Sequence, residues 1–403
     1  MKKYNLLVAQ SGGPTAAINA TLAGVVSEAL KHDEIENIYG AVNGIEGVFY
    51  DKIIKLNDID LELLSQTPSA YLGSCRYKLP DLEKNEEKYV LIANYLIEHD
   101  IRYFLYIGGN DSMDTVNKLS QYFKNNNIDI MVIGVPKTID NDLDITDHTP
   151  GFGSAAKYIA TTVSEISHDS QVYCLDSVTI IEIMGRNAGW LTAAAALARN
   201  EEENSPHLIY LPESVFSLSK FVSDIKNLFD KGIRNVIVAV SEGIRDENGN
   251  FICEINGNNG VDVFGHNMLS GAGKFLENYV KQNLGCKVRS VELNVSQRCA
   301  GHLMSKTDIE ESKQIGAKGV ISALEGKSGM MMTFKRVSTN PYIREIENAD
   351  ISSIANVEKK IDDSWIKNGN DVTAELIEYL KPLILGEVDI KYKNGIPVTL
   401  HRK

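Results

Sequence analysis

An α/β fold with parallel sheet is what this chain predicts, on three observations. Short apolar runs rich in β-branched residues recur along it, each run ends in glycine or a charged residue, and each is followed by a stretch of helical length. Because the runs are near-continuous rather than alternating, they describe strands covered on both faces, as in parallel sheets flanked by helices. In order, "YNLLVAQ" (4–10) passes into "SGG", "FLYI" (104–107) into "GGND", and "IMVIGV" (130–135) into "PKT". Then "VTIIEIM" (178–184) passes into "GRNAG", "HLIYL" (207–211) into "PES", and "NVIVAV" (235–240) into "SEG". Ligands of open α/β sheets bind beyond the carboxyl ends of the strands. Loops distant in sequence are therefore expected to meet at one cleft.

Composition bounds what that cleft holds. The chain has 403 residues, long enough for two ordinary domains, with 43% hydrophobic and 24% charged residues, a globular balance. Its net charge of -13 disfavours nucleic-acid and anionic-membrane partners, so an anionic ligand must be held by local positive charge. The opening "MKKYNLLVAQSGG" has too short an apolar run for a signal peptide or a membrane span, and a cytoplasmic protein is expected. Five cysteines without a C-x-x-C pair support neither a disulfide framework nor a zinc site, and read as mostly buried thiols. Domain boundaries are expected near 150, where "DHTPGFGSAAKYIATTVSEIS" opens a helix after a Pro-Gly turn, and near 290 to 305. From about 335 onward the sequence carries no chemical signal.

The loops differ in what they offer. "SGGPTAAIN" (11–19) sets two glycines between a strand and a helix, where helix N-terminal amides receive phosphate oxygens and Pro14 suits the first turn. It is neither a Walker A loop nor a Rossmann fingerprint. "IGGNDSM" (107–113) bares backbone for an anion, yet carries Asn110 and the carboxylate Asp111. "PKTIDNDLDITDH" (136–148) crowds Asp140, Asp142, Asp144 and Asp147 within eight residues, a density that calls for a cation or a catalytic proton. Beside them, Lys137 and Thr138 supply what is needed to hold a phosphoryl group while Asp140 deprotonates a hydroxyl. Arg186 in "MGRNAGW" suits phosphate or sugar oxygens, and Glu242 in "SEG" suits hydroxyls.

Taken together, "SGGPTAAIN", "GSCR" (73–76), "GGNDS", "PKTIDND", "MGR", "SEG" and "QR" (297–298) resemble, in order and approximate spacing, the phosphofructokinase family over residues 5 to 325. More narrowly the chain is similar to the diphosphate-dependent branch. The resemblance implies two doubly wound, mostly parallel α/β/α domains with the active site between them. Residues 1–150, completed by a segment from about 300 to 403, would bind the phosphoryl donor, and 151–300 the sugar phosphate.

It also implies roles. Gly13, Arg76, Asp111 and Lys137 would hold diphosphate, with Asp140 as the general base on the 1-hydroxyl of fructose 6-phosphate. Thr138 and Ile139 would adjoin it, and Met184, Gly185, Arg186, Glu242 and Arg298 would line the sugar phosphate. Mg2+ would sit by Asp142 and Asn110, where the family's usual residue at 110 is an aspartate. Arg289 would reach over from a neighbouring subunit, implying a homodimer or homotetramer. Ser177 and Val295 replace an arginine and a histidine of the family's sugar-phosphate site, and Ala23 and Ser27 replace effector-binding arginines.

The donor turns on position 111, where ATP users have glycine. A carboxylate about 4 Å from a phosphate charge costs about 4 kcal/mol at an effective dielectric near 20, roughly a thousandfold against ATP. Lys137 likewise stands where ATP users have glycine. The expected reaction is reversible, Mg-dependent transfer from diphosphate to fructose 6-phosphate, giving fructose 1,6-bisphosphate and phosphate. Three alternatives stay open: an ATP-dependent 6-phosphofructokinase, a diphosphate-dependent sedoheptulose 7-phosphate kinase, and a non-catalytic sensor of sugar phosphate or diphosphate.

Overall fold

Two sheets carry the molecule. A computed structural model describes residues 2–256, 271–353 and 357–402. The larger sheet runs β11-β10-β5-β4-β1-β2-β3, built from β1 (Tyr4–Gln10), β2 (Ile35–Ala41), β3 (Ile53–Lys55), β4 (Ile101–Gly108), β5 (Met131–Pro136), β10 (Met330–Thr339) and β11 (Tyr342–Asp350). Its core is parallel, and only β3 and β11, at the two edges, run antiparallel to their neighbours. The smaller sheet, β7-β8-β6-β9, is parallel throughout, from β6 (Ser177–Ile183), β7 (Leu208–Tyr210), β8 (Asn235–Ser241) and β9 (Lys287–Glu292).

The near-continuous apolar runs have the expected cause. Along β1, Leu7 and Ala9 enter the apolar cluster on one face, while Leu6 and Val8 enter the cluster on the other. Along β6, Ile181 and Ile183 face one cluster, with Val178 and Ile180 in the opposite one. With both faces dry, alternation disappears from the sequence.

On the larger sheet, the helices Ile18–Ala29 and Lys306–Leu324 pack backbone to backbone: a Cβ on Gly24 would come within 2.0 Å of Lys313 O. The start of the second helix then fixes the start of a third. The buried carboxylate of Asp308 accepts from Gly151 N (2.8 Å) and Ser154 N (2.9 Å), at the head of the helix Phe152–Ser170. Bonds to a buried carboxylate are worth about 1.5–3 kcal/mol each. Thr138 N in turn donates to Pro150 O, tying that helix head to the loop after β5.

Beyond β11 the chain crosses to the other half. Val372, Leu376, Leu380 and Leu383 join the apolar cluster of the smaller sheet, so the tail packs there as well as on the larger half. Two further expectations are corrected. Only Cys75 and Cys253 are buried, whereas Cys174 and Cys299 are exposed. The first helix begins at Ile18 rather than at Pro14, because residues 12–17 form an irregular turn. Among the described residues, no helix is long and apolar enough to cross a membrane.

Candidate active site

The carboxyl ends of β1, β4, β5, β6 and β8 open onto one cleft of about 500 Å³ between the two sheets. Gly13, Arg76, Asn110 and Asp111 line it from the larger half, with Lys137, Thr138, Ile139, Asp140 and Asp142 on its floor. Met184, Arg186, Glu242 and Arg298 line the opposite wall. Gly185 stands just behind, donating its N–H to Glu242 Oε1 (3.3 Å). Arg289 is elsewhere: it is half-exposed on the edge strand β9, 3.6 Å from Asp169. A hollow of about 630 Å³ by Phe49, Val90 and Leu91 contains none of the predicted groups.

Lys137 organises the floor. Its Nζ donates to Gly13 O at 2.6 Å, and a Cβ on Gly12, which has φ +78°, would sit 3.2 Å from that nitrogen. The ammonium is buried, and burial pulls its pKa down to about 8 against the opposing charges of Asp140 and Asp142. Burial raises Asp140, despite Lys137 and a hydrogen bond from Thr138 Oγ1 (3.3 Å). Burial and then the charge of Asp140 lift Asp142 to about 7. Between the two, Asn141 takes φ +55°, a left-handed conformation that asparagine tolerates. One buried cation thus faces two carboxyls whose proton affinity is raised by burial.

Not all of the acidic cluster belongs here. Asp147 turns away, bonded to Arg336 Nη2 (3.0 Å) and His148 Nδ1 (2.8 Å). Burial opposes its charge, but His148 and Arg336 hold it at about 2. It locks β10 and the tail to the Asp140 loop, and is structural.

On the far wall, burial pushes Glu242 up to about 7, with Gly185 N–H opposing. Gln297 is buried and its Oε1 accepts from Met184 N (3.3 Å), which sets Arg298 on the cleft beside Gly13. Val295 is exposed, and Ser177 bonds Asn235 within its own sheet.

The helix end at this cleft comes from another loop than expected. The Asn110–Asn125 helix begins directly after Gly108 and Gly109, with Asp111 in its first turn. A side chain at 108 is barred, since a Cβ would lie 2.0 Å from Ser112 Oγ. Asp111 is half-exposed, 3.7 Å from Lys78, at the positive end of this helix. Its charge is therefore better tolerated, and more screened, than the sequence estimate assumed.

Sequence reasoning missed Glu358. It lines the cleft from the tail, forming a bridge with Leu143, and its Oε1 accepts from Asn187 Nδ2 (3.0 Å). Nothing local in the tail sequence marks it. For a hard divalent cation, the cleft offers Asp142 and the amide oxygen of Asn110, both oxygen donors. Among the described residues, no three Asp, Glu, His or Cys side chains gather closely enough to hold a metal alone.

With this geometry in hand, the likenesses to known proteins are specific. The phosphofructokinase family model matches residues 5–320. A pyrophosphate--fructose 6-phosphate 1-phosphotransferase of Xanthomonas campestris is 43% identical, covering 98% of this chain and 96% of its own. One of the same name from Halomonas elongata is 41% identical with the same coverage. The crystal structure of a pyrophosphate-dependent phosphofructokinase from Marinobacter aquaeolei superposes with TM-score 0.88 at 38% identity, covering 99% and 95% of the two chains.

The buried carboxyls make a pH prediction. Asp142 and Glu242 each stand at about 7 when folded, against about 4 when unfolded. The folded state then binds more protons between these values, so stability of the ligand-free protein falls as pH rises from about 4 to 7. Lys137, at about 8, acts only above that window. Urea midpoints measured from pH 4.5 to 7.5 should decline, and Asp142→Asn should flatten the decline; a midpoint that rises across this range contradicts the assignment.

Proposed function

We propose, from the premise that this chain belongs to the phosphofructokinase family, that it transfers a phosphoryl group reversibly between diphosphate and the 1-hydroxyl of fructose 6-phosphate. The products are fructose 1,6-bisphosphate and phosphate. One observation carries the choice of donor: the buried Lys137 ammonium, 2.6 Å from Gly13 O, fills the floor between the loops after β1 and β5. A donor that continued past two phosphates would have to displace it, whereas a terminal phosphate group is neutralised by it.

The chemistry follows from placement. Asp140 accepts the proton of the 1-hydroxyl as that oxygen attacks the nearer phosphorus, and the bond to the bridging oxygen breaks to release phosphate. Lys137 and Arg76 meet the charge left on that phosphate, and Thr138 orients Asp140 through Oγ1. Arg186, Arg298 and Glu242 hold the sugar phosphate on the opposite wall. Mg2+, held by Asp142 with Asn110, would neutralise donor oxygens when bound. Asp111 adds a screened negative charge beside the donor and reinforces the discrimination that Lys137 makes by occupying space. We assign the donor to residues 1–150 with the chain after about 300, and the sugar phosphate to 151–300. The division of strands between the two sheets supports that assignment.

Arg289 points to a second copy. It lies on a sheet edge, outside the cleft, next to the exposed Tyr173 and Leu175. A symmetric contact there would bring each Arg289 toward the partner's sugar phosphate.

Asp140→Ser should lower kcat by roughly 10²- to 10⁴-fold and leave calorimetric binding of fructose 6-phosphate nearly unchanged; turnover close to wild type would remove Asp140 as the base. Arg289→Ala should raise the KM for fructose 6-phosphate while sparing that for diphosphate. A strictly monomeric active enzyme in light scattering would refute the shared site.

A further inference from the structure

The tail segment 357–359 is built into the donor side of the cleft. Asn110 Nδ2 donates to Val357 O (3.1 Å), and Lys359 N donates to Asp142 O (2.7 Å). Trp190 Nε1 holds Lys359 O (3.1 Å), and the Lys359 ammonium is pinned to Thr146 O and Asp147 O. The backbone of Glu358 is thus fixed to the very loop that carries Asp140 and Asp142. Asn187 binds one oxygen of its carboxylate, and Oε2 has no hydrogen-bond partner among the described residues.

A carboxylate so held, facing a cleft made for an anion, opposes binding unless a cation stands between them. Asn110, on the same wall, contributes no charge, and its amide nitrogen is occupied by the strap. An aspartate there would turn an acceptor toward the Val357 carbonyl.

We propose that Glu358 is a donor-site residue, which joins Asp142 and the amide oxygen of Asn110 in holding the divalent cation accompanying diphosphate, and that the amide nitrogen of Asn110 anchors the strap presenting Glu358. This rests on the diphosphate reading above. Cation and donor are expected to enter together, because Mg2+ keeps several waters and is usually bound by one or two carboxylates together with substrate phosphates.

The test needs no turnover. Mn2+ binding is measured by electron paramagnetic resonance in saturating diphosphate without sugar phosphate, for wild type, Glu358→Gln and Glu358→Gln/Asn110→Asp. Glu358 is exposed, so the single variant should fold normally. Losing this ligand should weaken Mn2+ binding about tenfold or more, while the double variant, with the charge moved to position 110, should regain most of that loss. Wild-type affinity in Glu358→Gln, or no recovery in the double variant, overturns the proposal and leaves the diphosphate reading standing. Failure of the wild type to bind Mn2+ with diphosphate at all overturns both.

Discussion

A buried ammonium is the constraint on which the cleft depends. Lys137 is buried on the floor of the site with its Nζ 2.6 Å from a backbone carbonyl, and taking such a charge out of water costs several kcal/mol unless partners offset it. Asp140 and Asp142 are those partners, and they too are costly when buried near each other. Lys137 and the two carboxyls thus favour one another's charged forms while burial opposes them all. In the proposed reading a metal diphosphate would offset these charges.

The same constraint accounts for how the loops are held. Ser74 Oγ donates to Gly12 O (2.6 Å), Lys137 N to Gly108 O (2.9 Å) and Thr149 Oγ1 to Thr138 O (2.8 Å), so each strand end is tied to its neighbour rather than left to solvent. Asp308 and the Asp147–Arg336 pair fix the outer side of this assembly. A net charge of -13 does not prevent anion binding, because the positive side chains Arg76, Lys137, Arg186 and Arg298 are concentrated at the cleft.

The strands and the loops at their ends were legible because strands buried on both faces leave continuous apolar runs, and parallel topology puts every following loop on the same edge. Lys137, Asp140, Arg186 and Glu242 were found by that route. Helix starts were less legible: two successive glycine loops look alike, yet only the one before Asn110 passes straight into a helix, while that before Pro14 stays irregular to Ala17. Four aspartates in one loop could not be told apart locally. Asp147 is set apart from Asp140 by His148 beside it and by Arg336, 189 residues further along the chain. Glu358 was invisible for the same reason, since its meaning lies in contacts with Leu143 and Asn187 that leave no local periodicity. The expectation at position 111 took no account of Lys78 and the helix start beside Asp111, because both are tertiary features.

The central claim is that charge and space on this floor admit diphosphate and exclude a nucleoside triphosphate. Initial rates of the wild type with fructose 6-phosphate, diphosphate and ATP being compared at equal Mg2+, test it most directly. The account predicts a kcat/KM for diphosphate at least about a hundredfold above that for ATP, equivalent to some 2.7 kcal/mol. Equal rates with the two donors, or a preference for ATP, would contradict it.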